Sequence, residues 1–463
     1  MSEAPQRLDV GGPTSLDGAL EAAARRGHLL RVVEPIAPID PLRLFVATHR
    51  HEAERWAWLS SMGGGRALVA AGLVDAVELH GPRRFEDAAR WTVERLRRIE
   101  TFEGAMRGPV PPPTALVGMA FAVGTASREP WNGWGDGRVV LPRWLVESKD
   151  GRCTLSILVD PRRERCRASD LRDALETMRH ALSHASPDLD AAAPTLRTLD
   201  DGEASFLCGA RELLGELETG RIAKAVLARC ERLELDRAVP TETLAARLRE
   251  QQSGCTTFAI ERGAARFVGA SPERLLVCRD GRVQLDALAG TRRAEPTAQR
   301  TAWLPTPKER REHALVVQHL EHVLRRSGAR LDRRSQPTVR VLRDVRHLHT
   351  TLRATLPDGL HPLVLAGRLA PTPAVCGTPT DVALDRLVAL EPIARGWYAG
   401  TVGWVDAHGD AELTVALRCA LLEPTCAWAW AAAGIVPGSE PEAELDETRA
   451  KMRAVRRALG AAD

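Results

Sequence analysis

Aromatic residues are scarce in this chain. A single tyrosine and seven phenylalanines stand against eleven tryptophans, and aromatic residues make up 4% of the sequence. Surfaces on which nucleic-acid bases stack are therefore hard to build. An excess of either charge is also lacking, because 64 basic and 61 acidic residues leave a net charge of +3. These two shortages exclude nucleic-acid binding as a main role, and we expect no nucleic-acid partner.

Paired cysteines and long apolar runs are also missing. The nine cysteines are an odd number, scattered from Cys153 to Cys426 with no C-x-x-C pair, so neither a disulfide framework nor a zinc site is predicted. No continuous apolar segment of a signal peptide follows the first residues, and no stretch approaches the length of a membrane span. We therefore expect a soluble, cytoplasmic protein with no membrane partner.

The pattern of strands and helices predicts an α+β architecture. Turn signals such as Asp150-Gly151 separate short strand patterns, which favours antiparallel pairing, and periodic helices lie between the strands. Strands are predicted at 41–50, 66–79, 115–122, 137–145, 153–159, 223–235, 256–260, 266–270, 275–278, 283–287, 400–406 and 412–422. Helices are predicted at 85–99, 203–219, 240–251 and 308–326.

Composition divides the chain into three segments. Residues 1–38 are rich in Gly, Pro and Ala and are predicted to form an N-terminal arm that is either partly disordered or a docking arm. Residues 39–200 are predicted to form an N-terminal α/β lobe. Residues 201–463 are predicted to form a C-terminal catalytic lobe, after a connection that contains Pro and Asp. We expect the lobes to pack into one composite globular domain and the protein to be a monomer.

The stretch with the clearest functional pattern lies near the C-terminus, where an apolar strand leads through a Pro-Gly turn into a helix. Ser439 is predicted to cap that helix, with Glu442 at the capping-box position. Glu444, Glu447 and Lys451 share one helix face, within roughly 60° of each other. Two carboxylates and a cation on one face suit a divalent metal and an anionic ligand. A solvated helix start with favourable dipole charges has the same pattern.

Two further residues suit acid–base chemistry. Lys224 shares a strand face with Val226 and Ala228. It is therefore either an edge-strand lysine or a buried lysine whose pKa falls toward that of a general base. Glu273 follows a Ser-Pro bend at the start of an apolar strand. At that position a carboxyl group is either a turn carboxylate or an acid with a raised pKa.

Charged residues also occur where the apolar pattern predicts burial. Glu312 lies at the N-terminal end of the core-facing stripe of helix 308–326. An unpaired charge is costly there, and a metal ion is a natural partner; the alternative is a surface helix start with Glu–Arg pairs. Arg418 interrupts strand 412–422, which indicates either a buried carboxylate partner or an edge strand that faces water. The turn at Gly290 and Thr291 offers backbone N–H groups and a hydroxyl to an anion.

Together these residues supply a lysine, a separate acid, carboxylates for a hard cation and cations for substrate carboxylates. The candidate metal ligands are oxygen atoms, without a Cys/His set, so Mg²⁺ is predicted rather than zinc. The substrate predicted from the residues alone is a small polycarboxylate.

The order of these motifs resembles that of the chorismate-utilising enzymes. The similar motifs are AKAVLAR with Lys224, GASPERLL with Glu273, LAGTRR, KERREH with Glu312, PTPAVCGTP, RGWYAGTVGW, LRCA with Arg418, and GIVPGSEPEAELDETRAK. The resemblance covers residues 200–455, is looser in the N-terminal half, and is closest to isochorismate synthases. Two departures are Ala370, where a histidine is usual, and Glu309, where an aspartate is usual.

The resemblance implies large antiparallel sheets in a layered sandwich flanked by helices, and an Mg²⁺-dependent isomerase that converts chorismate to isochorismate. Neutral Lys224 would take a proton from the water that attacks C2, and Glu273 would protonate the departing C4 hydroxyl. Glu312 and Glu447 would hold Mg²⁺, with Glu444 nearby or acting through water. The implied substrate contacts are Arg418 and Tyr398 for the enolpyruvyl carboxylate, assisted by Lys451, Gly290, Thr291 and Gly434.

Three other activities share parts of this pattern. A salicylate synthase forms isochorismate with the same residues and then eliminates pyruvate. An ammonia-using synthase needs a glutaminase partner and carries glutamine at the position of Lys224, so no such partner is expected here. A non-catalytic chorismate-binding relative is disfavoured because this chain keeps the lysine, the acid and the carboxylates. Menaquinone and siderophore synthesis both stay open as the destination of the product.

Overall fold

The computed structural model describes residues 15–461, apart from 50–51, 61–64, 105, 107, 165, 190 and 294–304. The helices are α1 (Leu16–Arg26), α2 (Arg43–Thr48), α3 (Arg84–Leu96), α4 (Ala168–His184), α5 (Glu203–Glu218), α6 (Thr241–Gln251), α7 (Pro307–Arg326), α8 (Pro362–Leu369), α9 (Thr380–Leu390) and α10 (Pro441–Ala458). The strands are β1 (Leu29–Ile36), β2 (Glu54–Leu59), β3 (Ala67–Leu79), β4 (Ile99–Glu103), β5 (Thr114–Met119), β6 (Gly137–Lys149), β7 (Arg152–Val159), β8 (Leu196–Asp200), β9 (Lys224–Leu235), β10 (Thr256–Arg262), β11 (Ala265–Ser271), β12 (Arg274–Arg279), β13 (Arg282–Arg293), β14 (Arg330–Arg334), β15 (Thr338–Val341), β16 (Val345–Thr355), β17 (Gly377–Thr378), β18 (Thr401–Asp406), β19 (Ala411–Val415), β20 (Cys419–Leu422) and β21 (Cys426–Ile435).

The strands form two ribbons that diverge from the long strand β6. The first ribbon runs β4–β1–β7–β6–β3–β2–β10–β11–β20–β21–β9–β8. The second runs β6–β5–β18–β19–β12–β13–β16, with β14 and β15 on the far side of β16. The β1–β4 pair is parallel, and the other pairs in both ribbons are antiparallel. The predicted α+β fold, with large antiparallel sheets and flanking helices, is confirmed.

Both ribbons use strands from both sides of residue 200. Strand β2 pairs with β10 in the first ribbon, and β5 pairs with β18 in the second. A tryptophan core joins them, in which the ring of Trp397 lies 6.2 Å from that of Trp56 and 5.1 Å from that of Trp134. The boundary at residue 200 is thus a boundary along the chain and does not separate two sheets.

Two predictions for the N-terminal region were wrong. Residues 15–36 are not a disordered arm: the Ser15 hydroxyl accepts a hydrogen bond from the Gly18 N–H at 3.2 Å and caps α1, and β1 is paired on both edges. Residues 1–14 lie outside the described part. The predicted strand at 41–50 is the helix α2, with Leu44, Phe45 and Thr48 buried. A short apolar run does not distinguish a buried strand from a buried helix turn.

The four predicted helices are present as α3, α5, α6 and α7, and the largest shift of an end is from 99 to 96. Helix α7 begins with a capping box: the Glu309 carboxylate accepts from the Thr306 N–H at 2.6 Å, and the Thr306 hydroxyl accepts from the Glu309 N–H at 3.2 Å. Glu309 therefore fixes the start of the helix that carries Glu312. Over the described part of the chain, no helix combines the length and apolar character needed to cross a membrane.

Candidate active site

A narrow cavity lies between the second ribbon, α7, β21 and α10, with about 60 Å³ of free space. Eight of the eleven site residues predicted from the sequence line it: Glu273, Thr291, Glu312, Tyr398, Arg418, Gly434, Glu447 and Lys451. Glu273 and Lys451, which are 178 positions apart in the sequence, thus meet at one place.

Lys224 is the first residue of β9, and its side chain is 0% exposed. The edge-strand interpretation fails because β9 is paired with β21 along one edge and with β17 along the other, where Thr378 faces Lys224. Its Nζ lies 2.9 Å from Oε1 of Glu312 and makes no well-formed hydrogen bond among the described residues. This ion pair is the contact that holds the buried amine.

Glu312 occupies the predicted core-facing position on α7, and a lysine is its partner in this structure. Burial raises the pKa of its carboxyl group, but Lys224, followed by Lys451 and Lys308, outweighs burial and holds the pKa below its usual value. Glu312 is therefore ionised, and three cations surround it.

Gly434 allows Glu312 to approach the backbone of β21. A Cβ atom at this position would lie 2.5 Å from Oε1 of Glu312 and 3.4 Å from Cε of Lys224. A side chain would push the carboxylate away from the lysine, so the glycine is required by the closeness of the pair.

Glu273 lies between β11 and β12, and its side chain is buried, which excludes a solvated turn carboxylate. The Ser271 hydroxyl donates to the carbonyl of Val415 at 2.6 Å and accepts from the Glu273 N–H at 3.2 Å, so the Ser-Pro bend is tied to β19. Burial raises the pKa of the Glu273 carboxyl to about 8, against the effect of Lys224 and with a further increase from Asp286. This carboxyl group keeps its proton at neutral pH.

Arg418 corrects the prediction of one strand over 412–422. The strand ends at Val415 and resumes at Cys419, and Arg418 between them has a φ of 50° in the left-handed region. Non-glycine residues with this conformation are uncommon and concentrate at functional sites. The break turns the guanidinium into the cavity, where its Nη1 has no hydrogen-bond partner among the described residues.

His347 on β16 is a cavity residue that the sequence analysis missed. Its Nε2 lies 3.4 Å from Nη2 of Arg418, and its Nδ1 lies 3.0 Å from the Thr291 hydroxyl. Burial, and then Arg418, hold the pKa of this imidazole well below its usual value. Because arginine only donates, Nε2 accepts and Nδ1 carries the proton. The signal available in the sequence was the alternation of histidines in RHLHT, which places His347 and His349 on the same strand face.

Tyr398 contributes an aromatic ring to the cavity wall. Its ring stacks on Trp430 with centroids 6.0 Å apart and an interplanar angle of 16°. Burial raises the pKa of its hydroxyl group, so the phenol stays neutral and is able to donate a hydrogen bond.

Helix α10 begins differently from the prediction. Its N-cap is Glu440, without a side-chain cap, and the Ser439 hydroxyl instead accepts from the Val436 N–H at 3.2 Å. Lys451 lies 2.6 Å from Oε1 of Glu447 and donates to the carbonyl of Ala432 at 2.7 Å. The predicted Glu447–Lys451 face is therefore tied to β21.

Three of the predicted residues lie behind the cavity lining. Lys224 does not line the cavity, but its Nζ contacts the carboxylate of Glu312, which does. Gly290, with a φ of 76°, forms an irregularity in the β13–β16 pairing and packs on the backbone of Glu309. Glu444 is buried and pairs with Lys308 on α7.

The three predicted metal ligands suit Mg²⁺ by the chemistry of their donor atoms, which are carboxylate oxygens. Glu312 and Glu447 line the same cavity. Burial, followed by the charge of Glu447, raises the pKa of Glu444, which indicates neighbouring carboxylates that a cation would stabilise. Each of the three also contacts a lysine, and the described residues contain no ready group of three or more His, Cys, Asp or Glu ligands.

Comparisons with known proteins agree with this arrangement. Residues 16–460 match the family model described as chorismate binding enzyme. The salicylate biosynthesis isochorismate synthase of Pseudomonas aeruginosa is 32% identical over 448 residues, which cover 92% of this chain and 89% of that protein. Isochorismate synthase DhbC of Bacillus subtilis is 36% identical over 266 residues, which cover 54% of this chain and 67% of that protein.

A solved structure has the same fold. MenF, the menaquinone-specific isochorismate synthase from Escherichia coli, matches with a TM-score of 0.74 and 24% identity over 95% of this chain and 99% of that chain. The family model and the Pseudomonas relative both span almost the whole sequence. On this evidence, the chain belongs to the chorismate binding enzyme family.

Proposed function

We propose that this protein is an isochorismate synthase, which moves the hydroxyl group of chorismate from C4 to C2. The observation that carries the proposal is a buried, protonated carboxyl group, Glu273, in the wall of a cavity where another wall residue, Glu312, contacts a buried lysine, Lys224, behind the lining. In the same cavity Arg418 has no carboxylate partner among the described residues. The relatives over this length are named isochorismate synthases.

Lys224 is the proposed base, which takes a proton from the water that attacks C2. The role requires the neutral amine, because an ammonium group has no lone pair to accept a proton. The base is therefore the neutral form of Lys224, whose Nζ lies beside the Glu312 carboxylate. A glutamine at this position, as in the ammonia-using relatives of the family, could not perform this step.

Glu273 is the proposed acid, which donates its proton to the departing C4 hydroxyl as the ring double bonds shift. A carboxyl group with its pKa near 8 holds a proton at neutral pH and still releases it to a leaving group. The opposite pKa directions of Glu273 and Glu312, in one cavity, support Glu273 rather than Glu312 as the acid.

The remaining cavity residues would hold the substrate. Arg418 and Tyr398 line the cavity and suit the enolpyruvyl carboxylate. Glu312 and Glu447 would hold Mg²⁺, with Glu444 beside them, and the bound ion would fix the ring carboxylate and offset its charge. Since the free space is only about 60 Å³, which is small for a ligand pocket, the cavity has to widen when chorismate binds.

The main competing activity is that of a salicylate synthase. The test is to incubate the protein with chorismate, with and without Mg²⁺, and to separate the products by liquid chromatography. Isochorismate without salicylate or pyruvate is the expected result. Equal amounts of salicylate and pyruvate would instead identify a salicylate synthase, and tight binding of chorismate without any product would identify a non-catalytic relative.

A further inference from the structure

A second cavity, of about 500 Å³, lies on the other side of the PTPAVCGTP loop. The start of α3, the segment after β5 and the facing sides of α8 and α9 enclose it. Ala370 and Pro371 at the beginning of the loop line this cavity, whereas Ala374 and Val375 line the active site. One short loop therefore separates the two cavities.

Arg84, in the wall of this second cavity, is a buried charged group whose hydrogen-bond partners within the fold are incomplete. It is 7% exposed, and among the described residues its side chain makes one hydrogen bond, from Nη2 to the carbonyl of Ala120 at 3.3 Å. Its buried Nε has no hydrogen-bond partner. A buried cation without an anionic partner is destabilising.

Most of the other buried arginines have the partner that Arg84 lacks. A carboxylate lies within 4.0 Å of Arg55, Arg66, Arg229 and Arg395. Within the described chain, the buried arginines without such a partner are Arg31, Arg84 and Arg418. Arg31 donates to the carbonyl of Pro111 and lines neither cavity. Arg84 and Arg418 share both features: no carboxylate partner, and a place in the wall of a cavity.

The rest of the lining indicates the class of ligand. The walls are partly apolar, with the aromatic Phe85 and Phe121 and the half-exposed Val123 and Val388 among the lining residues. Two exposed carboxylates, Glu86 and Asp385, also line the cavity and repel ligands with several negative charges. The combination favours a ligand with one carboxylate and an apolar body.

We propose that the Arg84 cavity is a second ligand site, which binds a small monocarboxylate with an aromatic or apolar body through the Arg84 guanidinium. The site is separate from the proposed catalytic reaction and does not depend on it. Arg84 supplies charge-assisted hydrogen bonds to the carboxylate, and the apolar walls remove the body of the ligand from water.

The test uses 4-fluorobenzoate as the probe and ¹⁹F NMR of the probe as the measurement. Because Arg418 could also bind a carboxylate, the titration is made in the Arg418→Gln protein. Saturable binding with a Kd of about 1 mM or tighter is expected. Arg84→Gln should weaken it by roughly tenfold or more, since the charged hydrogen bonds are lost. The matched control is Arg83→Gln, which changes an exposed arginine beside the site and should leave the Kd unchanged.

A second variant keeps the test decisive if Arg84→Gln does not fold. Ala370→Phe fills the cavity without a change of charge and should also abolish binding. Binding that survives both variants, or the absence of saturable binding in the Arg418→Gln protein, would overturn the proposed site. Equal affinity for 4-fluorobenzamide would overturn the carboxylate class, because the neutral amide cannot pair with Arg84.

Discussion

Two buried arginines show what separates a structural charge from a functional one in this molecule. Arg66 is 4% exposed and Arg418 is 5% exposed. Every nitrogen of the Arg66 guanidinium donates a hydrogen bond, to Glu147 at 2.7 and 2.9 Å, to Asp406 at 3.0 Å and to Thr114 at 2.9 Å. Arg418 has one contact at 3.4 Å with His347, and its Nη1 has no partner among the described residues.

The pKa values of the two arginines move in opposite directions because burial acts on both, but nearby carboxylates outweigh it only for Arg66. Burial lowers the pKa of each, but for Arg66 the carboxylates of Glu147 and Asp406 outweigh burial and raise it. For Arg418 the charges of Asp344 and Glu447 do not outweigh burial, which holds its pKa below the usual value. In this pair, the arginine with complete partners has a structural role, whereas the arginine with incomplete partners lies in a cavity wall where a ligand could complete them.

The largest effect is expected when the proposed base, Lys224, or the proposed acid, Glu273, is replaced. Both are buried groups to which a functional role is given, as it is to Arg418. Lys224→Gln keeps a donor for Glu312, and Glu273→Gln keeps the shape of the side chain, so both variants should fold. Each should lower kcat by about 10²- to 10⁴-fold, the usual contribution of a positioned acid or base. The measurement is isochorismate formation, together with thermal unfolding.

The control for that test is Lys149→Gln, which changes an exposed lysine at the end of β6 and should leave kcat unchanged. A Lys224→Gln protein with full activity would remove the lysine from the mechanism.

The second test replaces each of the two arginines by methionine and compares the effects on stability and on activity. Arg66→Met leaves two carboxylates buried without their partner and should lower the free energy of unfolding by about 3–5 kcal/mol. Arg418→Met removes an incompletely paired charge, so we expect a loss below about 1 kcal/mol and a fall in kcat/KM of at least roughly tenfold. Urea unfolding and steady-state kinetics measure the two effects. Equal destabilisation by both substitutions would break the comparison.

The third test concerns the approach of Glu312 to the backbone. Gly434→Ala places a Cβ atom where Glu312 now lies and should displace the carboxylate from Lys224. Because small misplacements in an active site lower rates by about 10²-fold, we expect a loss of that order in kcat with little loss of stability. Gly215→Ala, where a Cβ meets nothing within 4 Å, is the matched control. An unchanged kcat would show that the Lys224–Glu312 contact has no part in turnover.

The smallest expected effect is on pH dependence. The pKa of Glu273 is raised, so the carboxyl group stays protonated up to about pH 8 and is ionised above it. An acid that has lost its proton cannot donate, so kcat should fall about tenfold per pH unit above this value. A pH–rate profile of kcat, with stability checked at each pH, measures this. A profile that stays flat beyond pH 9.5, more than a unit above the raised pKa, would contradict the acid role.

The sequence allowed accurate predictions at several places where the signal was local, although the predicted Ser439 cap of α10 was wrong. The Asp150-Gly151 turn, the helices that became α5 and α7, and the common face of Glu447 and Lys451 follow from turn chemistry and helical period. The prediction of secondary structure failed where one local pattern is compatible with two different backbone structures. The apolar run at 41–50 forms a helix, and residues 416–418 break a strand that the sequence pattern continues.

The sequence by itself determined the α+β class, most elements of the second half, and which charged residues occupy positions expected to be buried. Periodicity and residue order contain that information. Only the tertiary structure decided that Lys224 pairs with Glu312, that Glu273 keeps its proton, and that His347 joins Arg418. Those outcomes depend on burial and on neighbours brought from distant parts of the chain, because desolvation and Coulomb interactions act through space and not along the sequence.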